Sequence, residues 1–414
     1  MFLVSGLAML GLSVPRSTSF HKGLAGAAFV AFGAAFLSGS FEATFFVEGL
    51  PAYFGIVAVL LVLSLAGYPI RAARYEAQIR SLMAALTRRG AGPKATAGVM
   101  GHLLGAVLDV GSYVLVDVIF ARAAPKERVA ALKWSARGFS FVPLWTNINL
   151  LTATVITLTG VTYLGFLAVS LPFVVVGVAL LVFFAQREGG EVEGGMNDPL
   201  DRGAAAVVMY PISLIIMVAL VNYLLPNLSL TTAIAVTIAV VVVAIASFAA
   251  FSMRASSPLA RLGSETRGSL VNSHMEFALF GSAGVLVLSL DALGFLEPLG
   301  GLLRGMPEYA VPLALAGVVA LGFVAGIHVL PMVLLIHSTF PLDGGSSPAL
   351  WAVAIIIGCQ AALLATPFSN SVTMISRLSG EHPIKSGPKE NWRFSLFVAV
   401  AGAAYLVVMT AILV

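Results

Sequence analysis

The sequence has little charge, almost no cysteine and none of the common catalytic motifs. Only 10% of its 414 residues are charged, whereas a soluble domain carries about 25%. The single cysteine, Cys359, excludes a disulfide within one chain and a zinc cluster. Walker, HExxH and Gly-x-Ser-x-Gly patterns are absent. We therefore expect no enzyme, no cofactor and no ATP-driven pump within this chain.

Apolar residues, by contrast, make up 59% of the chain, and the mean hydropathy is +0.99. Apolar runs of roughly 20 residues recur, the length that crosses about 30 Å of hydrocarbon as a helix. They do not alternate apolar and polar residues as the strands of a membrane barrel do. The sequence predicts an all-α polytopic protein of the inner cell membrane, with apolar runs at 51–70, 161–185, 226–251 and 394–414.

The positions of the basic residues predict the topology. All 23 Lys and Arg lie between apolar runs or at their ends, and loops rich in Lys and Arg stay cytoplasmic. One threading places 22 of these 23 residues in the cytoplasm, with Arg304 as the exception. It leaves both termini outside. The connections without Lys or Arg, which would also face outside, are 46–52, 222–229 and 338–348.

This threading predicts about ten full crossings and two re-entrant hairpins, arranged as two repeats of opposite orientation. Inverted repeats are a hallmark of secondary transporters, although a plain helical bundle remains the alternative because the halves share little identity. The first repeat, 1–186, would contain scaffold helices 1–70, an interfacial arm 71–95, a hairpin 97–121, a broken helix 129–160 and a helix 162–185. A cytoplasmic linker, 187–203, precedes the second repeat, 204–414, with scaffold helices 204–290, an arm 294–309, a hairpin 311–336, a broken helix 349–378 and a helix 394–414.

Each predicted broken helix contains a proline, Pro143 or Pro367, followed by a hydroxyl residue and Asn. Proline frees backbone groups, which membranes tolerate only beside protein or a polar cavity. The new half-helix N-terminus favours an anion, whereas unwound carbonyls with hydroxyl and amide oxygens suit Na⁺. A simple proline kink is the alternative. The candidate ligands are Thr146, Asn147, Asn149, Ser369, Asn370, Ser371 and Thr373, with Na⁺ at Thr146, Asn147, Ser369 and Asn370.

The hairpin tips form the second set of candidate ligands. Glycine permits the chain reversal, and Gly111 to Leu115 matches Gly326 to Leu330 at three of five positions. Ionisable residues within membrane segments are functional candidates. Asp109 or His328 would therefore bind a proton or a cation, and a hydrogen-bonded structural role is the alternative for each. The candidates at the tips are Asp109, Gly111, Ser112, Gly326 and His328.

With these hairpins and breaks, including the stretch Thr366-Pro367-Phe368-Ser369-Asn370, the sequence resembles the ion transporter superfamily. That group includes divalent anion/sodium symporters, arsenite-efflux-like permeases and the large membrane subunits of TRAP transporters. The resemblance implies that hairpin tips and helix breaks bind substrate and ions, and that the protein is a homodimer with an elevator motion. The Ser-Asn-Thr signature of the symporters is absent from both tips.

We therefore expect a secondary active transporter for a small, anionic, carboxylate-like solute, coupled to H⁺ or Na⁺. Its partners would be this solute and membrane lipid, and no nucleic acid. Two alternatives remain at this stage: an uncoupled, channel-like permease of the same fold, and a membrane-embedded lipid-handling protein. A neutral solute also stays open, because no Arg or Lys lies clearly within a hydrocarbon segment.

Overall fold

The protein is helical throughout the part of the chain that the computed structural model describes. That part comprises residues 2–17, 19–69, 76–121, 123–188, 204–225, 227–253, 257–342 and 347–413, and it contains no strand. Most of the predicted linker 187–203 and the start of the predicted arm at 71–75 lie outside it. The all-α fold class is confirmed.

Nine helices form the described part of the first half and ten that of the second. In the first they are α1 Phe2–Ser13, α2 Ser19–Leu37, α3 Ala43–Leu63, α4 Glu76–Arg88, α5 Pro93–Leu108, α6 Gly111–Ile119, α7 Pro125–Phe139, α8 Leu150–Thr159 and α9 Tyr163–Arg187. In the second they are α10 Ala204–Leu224, α11 Leu230–Met253, α12 Ser257–Asn272, α13 His274–Ala292, α14 Glu297–Arg304, α15 Val311–Val324, α16 Val329–Thr339, α17 Pro348–Leu363, α18 Asn370–Ser379 and α19 Glu390–Leu413.

Within the described residues, five helices are long and apolar enough to cross a membrane. The number is six if Glu297–Arg304 and Glu308–Val324, which bend by 117°, form one span. Several further apolar helices have 10–17 residues. The chain is thus polytopic, and the count of about ten crossings, which includes shorter and broken helices, stays a prediction.

Local sequence explains where several helices begin and end. Pro93, Pro125 and Pro348 occupy the first position of α5, α7 and α17, where proline costs no hydrogen bond and its fixed φ fits the helix. Gly160 and Gly380 end α8 and α18 with φ of 65° and 72°, the left-handed conformation in which glycine commonly terminates a helix.

Helices end and begin again within all four segments that were predicted as hairpins or broken helices, while the re-entrance of the two hairpins stays a prediction. The first hairpin breaks at 109–110, between α5 and α6, and the second at 325–328, between α15 and α16. Between α7 and α8 lies a single 3₁₀ turn, Val142–Leu144, within irregular chain, and residues 364–369 separate α17 from α18. We call residues 140–149 break 1 and residues 364–369 break 2.

One helix within 204–290 follows none of the apolar runs from which the sequence interpretation predicted helices. Residues 257–272 form α12, an amphipathic helix that packs against α3 and α13. Arg261 Nε and Glu265 Oε1 lie 3.6 Å apart, one turn along it. A search for long apolar runs misses such a helix because its polar face interrupts the apolar pattern.

The helices form two compact units, and each unit contains segments from both halves. The first unit comprises Met1–Tyr68, Ile234–Met306 and Leu330–Leu342. The second unit comprises Pro69–Ala233, Pro307–Val329 and Asp343–Val414. Every candidate ligand predicted from the sequence therefore belongs to the second unit.

Within the first unit, Arg304 has a structural partner. Its Nη1 donates a hydrogen bond of 2.6 Å to the carbonyl oxygen of Thr339, the last residue of α16. A cation at the C-terminal end of a helix is stabilised by the unpaired carbonyls and the helix dipole. Arg304, the one basic residue that the charge rule places outside the cytoplasm, therefore has a structural role at the end of α16.

Within the second unit, α5 packs on α7 and α15 packs on α17 with backbones in contact. A Cβ atom on Gly138 would lie 1.9 Å from the carbonyl oxygen of Gly98, and one on Gly358 would lie 2.2 Å from that of Ala316. Small residues allow such close approach in membrane helices. Gly138 and Gly358 are 220 residues apart, so the two helix pairs repeat one packing arrangement.

Candidate functional site

Break 1 is organised by two polar side chains. The Oγ1 atom of Thr146 accepts a hydrogen bond of 3.4 Å from the amide of Ile148. The Oδ1 atom of Asn149 caps α8 by accepting from the amides of Leu151, at 3.1 Å, and Thr152, at 3.4 Å. Asn149 therefore satisfies two of the amides that a helix leaves unpaired at its N-terminus.

Break 2 has the same pattern of local hydrogen bonds. The Oγ1 atom of Thr366 accepts from the amide of Phe368 at 3.3 Å, and the Oγ of Ser369 caps α18 by accepting from Val372 at 3.1 Å. The helix that follows each break has ten residues and ends at a left-handed glycine. This shared geometry supports an internal repeat of the broken helices.

The repeat has a different register from the one the prolines suggest. Thr146 corresponds to Thr366, and Asn149 corresponds to Ser369, each pair 220 residues apart like the packing glycines. Pro143 and Pro367 are 224 residues apart and hold different positions, since Pro143 lies in a 3₁₀ turn before Thr146 whereas Pro367 follows Thr366. Thr366 is thus a site residue that the proline match overlooked.

Break 1 contains a buried side-chain amide whose oxygen forms no hydrogen bond. Asn147 is fully buried, and its Nδ2 donates to the carbonyl oxygen of Ile215 in α10 at 3.0 Å. A carbonyl oxygen can only accept, so it must face Nδ2, which fixes the orientation of the amide. The Oδ1 atom of Asn147 has no hydrogen-bond partner within the described residues. An unpaired buried oxygen costs about 1–3 kcal/mol, so a cation or a donor bound there would recover this cost.

Aromatic side chains surround break 1. The ring of Trp145 lies 5.5 Å from that of His102 in α5, and its carbonyl oxygen accepts a hydrogen bond of 2.6 Å from the Tyr163 hydroxyl. His102 in turn is tied through Nδ1 to the Gly138 carbonyl at 3.1 Å. Break 1 therefore contacts the first helix of hairpin 1, and no hydrogen bond among the described residues joins Asn147 to Asp109.

The helix that follows break 2 begins with unpaired donors. The backbone amides of Asn370 and Ser371, in the first turn of α18, have no hydrogen-bond acceptor within the described residues. The Ser371 hydroxyl accepts a hydrogen bond of 3.0 Å from the hydroxyl of Tyr113 in α6. The side chain of Asn370 is exposed, and Thr373 lies one turn after Ser369, to whose carbonyl its amide donates. Tyr113 was not predicted as a site residue.

The tip of hairpin 1 contains a strained aspartate. Asp109 has φ 50° and ψ −137°, and it is the only residue other than glycine with positive φ in the described chain. With Val110 it forms a turn of type II′, whose first central position favours glycine. The Asp109 carbonyl accepts from the amide and the hydroxyl of Ser112, at 3.1 and 2.8 Å. Such a conformation costs about 1–3 kcal/mol.

The expected role of Gly111 in the reversal is wrong. A Cβ atom there would meet only Leu108, at an ordinary 3.8 Å, and the left-handed position is Asp109. In hairpin 2 the corresponding position is Gly326, with φ 93°. Asp109, not Gly111, is therefore the counterpart of Gly326.

Hairpin 2 reaches break 2 at this glycine. A Cβ atom on Gly326 would lie 3.2 Å from Phe368 Cδ2, and the half-buried His328 follows two residues later. Both hairpins thus contact break 2 or the helix after it: hairpin 2 through Gly326, and hairpin 1 through Tyr113.

Charged residues from two segments of the second unit form a connected set of ion pairs. Lys133, which is buried, pairs with Glu381 at 2.9 Å and with Glu390, and Lys385 pairs with Glu381 at 2.7 Å. Burial would raise the pKa of Glu381, but hydrogen bonds from Lys385 and Lys133 outweigh this and hold it below its ordinary value. The segments that contain these residues, 122–137 and 377–393, were predicted to be cytoplasmic.

Acidic or sulfur metal ligands do not gather in the described residues: no group of three or more His, Cys, Asp or Glu could hold a metal ion there. The oxygens at the breaks are hydroxyl and amide oxygens with unwound carbonyls. Such hard, neutral ligands suit a monovalent cation such as Na⁺ better than a transition metal.

The helix count, the breaks and the hairpins define an all-α polytopic membrane protein with the fold of a known transporter. The Alcanivorax borkumensis YdaH transporter, whose crystal structure was described as having an unusual topology, superposes with a TM-score of 0.58 over 90% of each chain, at 16% identity. At this identity the likeness concerns the fold alone. No family model and no curated protein matches the sequence, and the narrower resemblance to the ion transporter superfamily stays a prediction.

Proposed function

We propose that the chain is a secondary active transporter of the inner cell membrane. It moves a small, carboxylate-like anion and couples this movement to Na⁺ or H⁺. The similarity to the fold of the YdaH transporter supports the transport role, while the solute and the coupling follow from the chemistry of the two breaks.

The observation that carries the proposal is that two breaks with similar hydrogen bonding contain unpaired polar groups of both kinds, an acceptor and donors. Break 1 has a buried carbonyl oxygen without a donor, on Asn147, and break 2 has two amides without an acceptor, on Asn370 and Ser371. An oxygen of this kind suits a cation, and amides at a helix N-terminus suit an anion. A site with both kinds of group fits a symporter of a cation and an anion.

The strain at Asp109 supports a role for its carboxylate. Glycine would take this backbone conformation without steric strain, so an aspartate there indicates that its side chain is needed. The carboxylate lies at the tip of hairpin 1, just before α6. In the proposed mechanism it binds the coupling proton or contributes a charge to the site of the coupling cation.

The grouping of the helices supports alternating access of the elevator type. Every candidate ligand belongs to the second unit, which combines hairpin 1, both breaks and the tip of hairpin 2. In this mechanism the unit that carries the site changes its depth in the membrane. The resemblance to the ion transporter superfamily also leads us to propose a homodimer, which light scattering of the detergent-solubilised protein would test.

The experiment is a ligand screen followed by uptake. The purified chain is tested by thermal shift against mono-, di- and tricarboxylates, at several pH values and in Na⁺ or choline salts. Compounds that stabilise it are then supplied, radiolabelled, to proteoliposomes with an imposed Na⁺ or pH gradient. We expect accumulation that an ionophore for the coupling ion abolishes.

Two outcomes would contradict the proposal. Equal flux with and without ion gradients would indicate the uncoupled permease. Stabilisation by neutral solutes but not by carboxylates would contradict the assignment of break 2 to an anion.

A further inference from the structure

The side-chain amide of Asn391, 18 residues after the last candidate ligand Thr373, forms hydrogen bonds through both its oxygen and its nitrogen. Asn391 is fully buried near the start of α19. Its Oδ1 accepts a hydrogen bond of 3.0 Å from Arg137 Nε, and its Nδ2 donates to the carbonyls of Ser386, at 2.8 Å, and Gly387, at 3.3 Å. The transport mechanism proposed above gives this residue no role.

The two carbonyls belong to a π-helical turn, Lys385–Lys389, that packs on break 2. A Cβ atom on Gly387 would lie 2.8 Å from Val372 Cγ1 and 3.3 Å from the Thr366 carbonyl oxygen. Thr366 lies within break 2, and Val372 lies in the first turn after it. The turn therefore contacts the chain on both sides of the capping residue Ser369. Turns of this type occur frequently at functional sites.

Arg137 determines how the Asn391 amide is oriented. A guanidinium group has only donors, so it must face Oδ1 and direct Nδ2 towards the carbonyls. The arginine is itself held in place, because Nη2 donates to the Glu390 carbonyl at 3.3 Å and the guanidinium lies 4.5 Å from the centre of the Trp134 ring. Arg137 belongs to α7, the helix that leads into break 1.

We propose that Asn391 is a positioning residue for break 2. It holds the turn Lys385–Lys389 against Thr366 and Val372, and Arg137 fixes its orientation. A helix of the first half thereby stabilises the break of the second half. The purpose of this positioning rests on the proposed transport function, whereas the stabilisation of break 2 can be tested without it.

The first test is hydrogen–deuterium exchange of the purified full chain carrying Asn391→Asp. The substitution keeps an acceptor for Arg137 but replaces the donor by an oxygen that faces two carbonyls. We expect amides in 364–372 to exchange about tenfold faster, because the hydrogen bonds that hold the turn are lost. Exchange in Tyr163–Arg187 should not change. The matched control is Lys389→Gln, which alters an exposed side chain of the same turn.

Two exchange patterns would overturn the proposal. Faster exchange confined to 385–389 would show that Asn391 stabilises the turn alone, and equal acceleration in every helix would show a general loss of stability. If the Asn391→Asp variant does not fold, Gly387→Ala provides the same test, since its Cβ displaces Thr366 or Val372 directly. Unchanged exchange in 364–372 of that second variant would also overturn the proposal.

The role of Arg137 is tested by combining substitutions. Arg137→Lys removes the Nε donor and should accelerate exchange in 364–372. In the double variant with Asn391→Asp, the acceleration should not exceed that of Asn391→Asp alone, because both changes act on one contact. Fully additive acceleration would exclude a role for Arg137 in orienting Asn391.

A transport readout separates positioning from simple stabilisation. With a carboxylate found in the screen, Asn391→Asp should raise the concentration for half-maximal uptake about tenfold, the factor that corresponds to about 1.4 kcal/mol of binding energy. The rate at saturation should stay within about twofold of the wild type, a margin well below that tenfold effect. A lower saturating rate with unchanged half-saturation would contradict the proposal. If the wild type transports nothing, the proposed function fails while the exchange result still decides the role of Asn391.

Discussion

Replacing Asp109 by glycine should stabilise the fold and at the same time abolish coupled transport. The backbone of Asp109 has φ 50° and ψ −137°. Relieving such a conformation gains about 1–3 kcal/mol, and the greater freedom of glycine in the unfolded chain costs about 0.5–1 kcal/mol. We therefore expect a net gain of between about 0 and about 2.5 kcal/mol, the difference between these two effects.

The assays are denaturation of the purified protein in mild detergent and ion-driven uptake into proteoliposomes. The controls are Asp109→Asn and Asp109→Ala, which keep the strained conformation and remove the charge. All three variants should lose coupled uptake, and only Asp109→Gly should gain stability. Lower stability of Asp109→Gly, or wild-type coupling in it, would refute the argument that strain is retained for the carboxylate.

Six further substitutions, which make four tests, have expected outcomes. Asn147→Ala removes the unpaired Oδ1 and should raise the cation concentration for half-maximal uptake about tenfold, the effect of losing about 1.4 kcal/mol of binding energy. An unchanged dependence of uptake on the cation concentration would exclude Asn147 as a cation ligand. Lys133→Met removes the cation paired with Glu390 and one of the two paired with Glu381, and should cost about 1–3 kcal/mol. Lys385→Met, at an exposed pair, should cost at most about 1 kcal/mol. Denaturation midpoints compare the two variants, and equal losses would contradict the difference in burial. Gly358→Ala places a Cβ 2.2 Å from the Ala316 carbonyl oxygen and should lower the free energy of unfolding by about 1–3 kcal/mol. Gly317→Ala, whose Cβ would have no atom within 4 Å, should leave it unchanged or raise it by up to about 1 kcal/mol. The pKa of Glu381 is below its ordinary value in the folded protein. Its contribution to the free energy of unfolding is therefore complete above the ordinary glutamate pKa of about 4.3 and is lost as the pH falls through the lower, folded value. Glu381→Gln should therefore weaken the dependence of thermal stability on acid pH, and a pH profile identical to that of the wild type would contradict this.

Long-range composition was sufficient to predict the interrupted elements. The apolar runs, with Pro143 and Pro367 within two of them, predicted two segments in which the helix is broken. Basic flanks on one side suggested the first hairpin, the threading suggested the second, and the re-entrance of both stays a prediction. These features are visible in sequence because each one interrupts an apolar pattern. The amphipathic α12 lacks such a pattern and was missed.

The register of the site depended on local backbone geometry. The prolines suggested one alignment of the breaks, whereas the capping residues Asn149 and Ser369 establish another. Capping depends on a hydrogen bond to an amide two or three residues away, which many sequences allow. Asp109 was predicted as a ligand, but its left-handed backbone was not, because that conformation favours glycine.

The partners of break 2 were beyond sequence reasoning. Tyr113 and Ser371 are 258 residues apart, and Arg137 and Asn391 are 254 residues apart. Each is an ordinary residue in its own helix, and only the packing of the second unit brings each pair together. Tertiary contacts of this kind leave no periodic signal in a single sequence.

The central claim is that one unit binds a cation and an anion in an interdependent way. The most direct measurement is calorimetric titration of the purified protein with a carboxylate from the screen, at several Na⁺ concentrations and pH values, and with Na⁺ at several carboxylate concentrations. Because linkage is reciprocal, the cation should lower the Kd of the anion by the same factor by which the anion lowers the Kd of the cation. Binding of the carboxylate with one affinity at every Na⁺ concentration and pH would contradict the account.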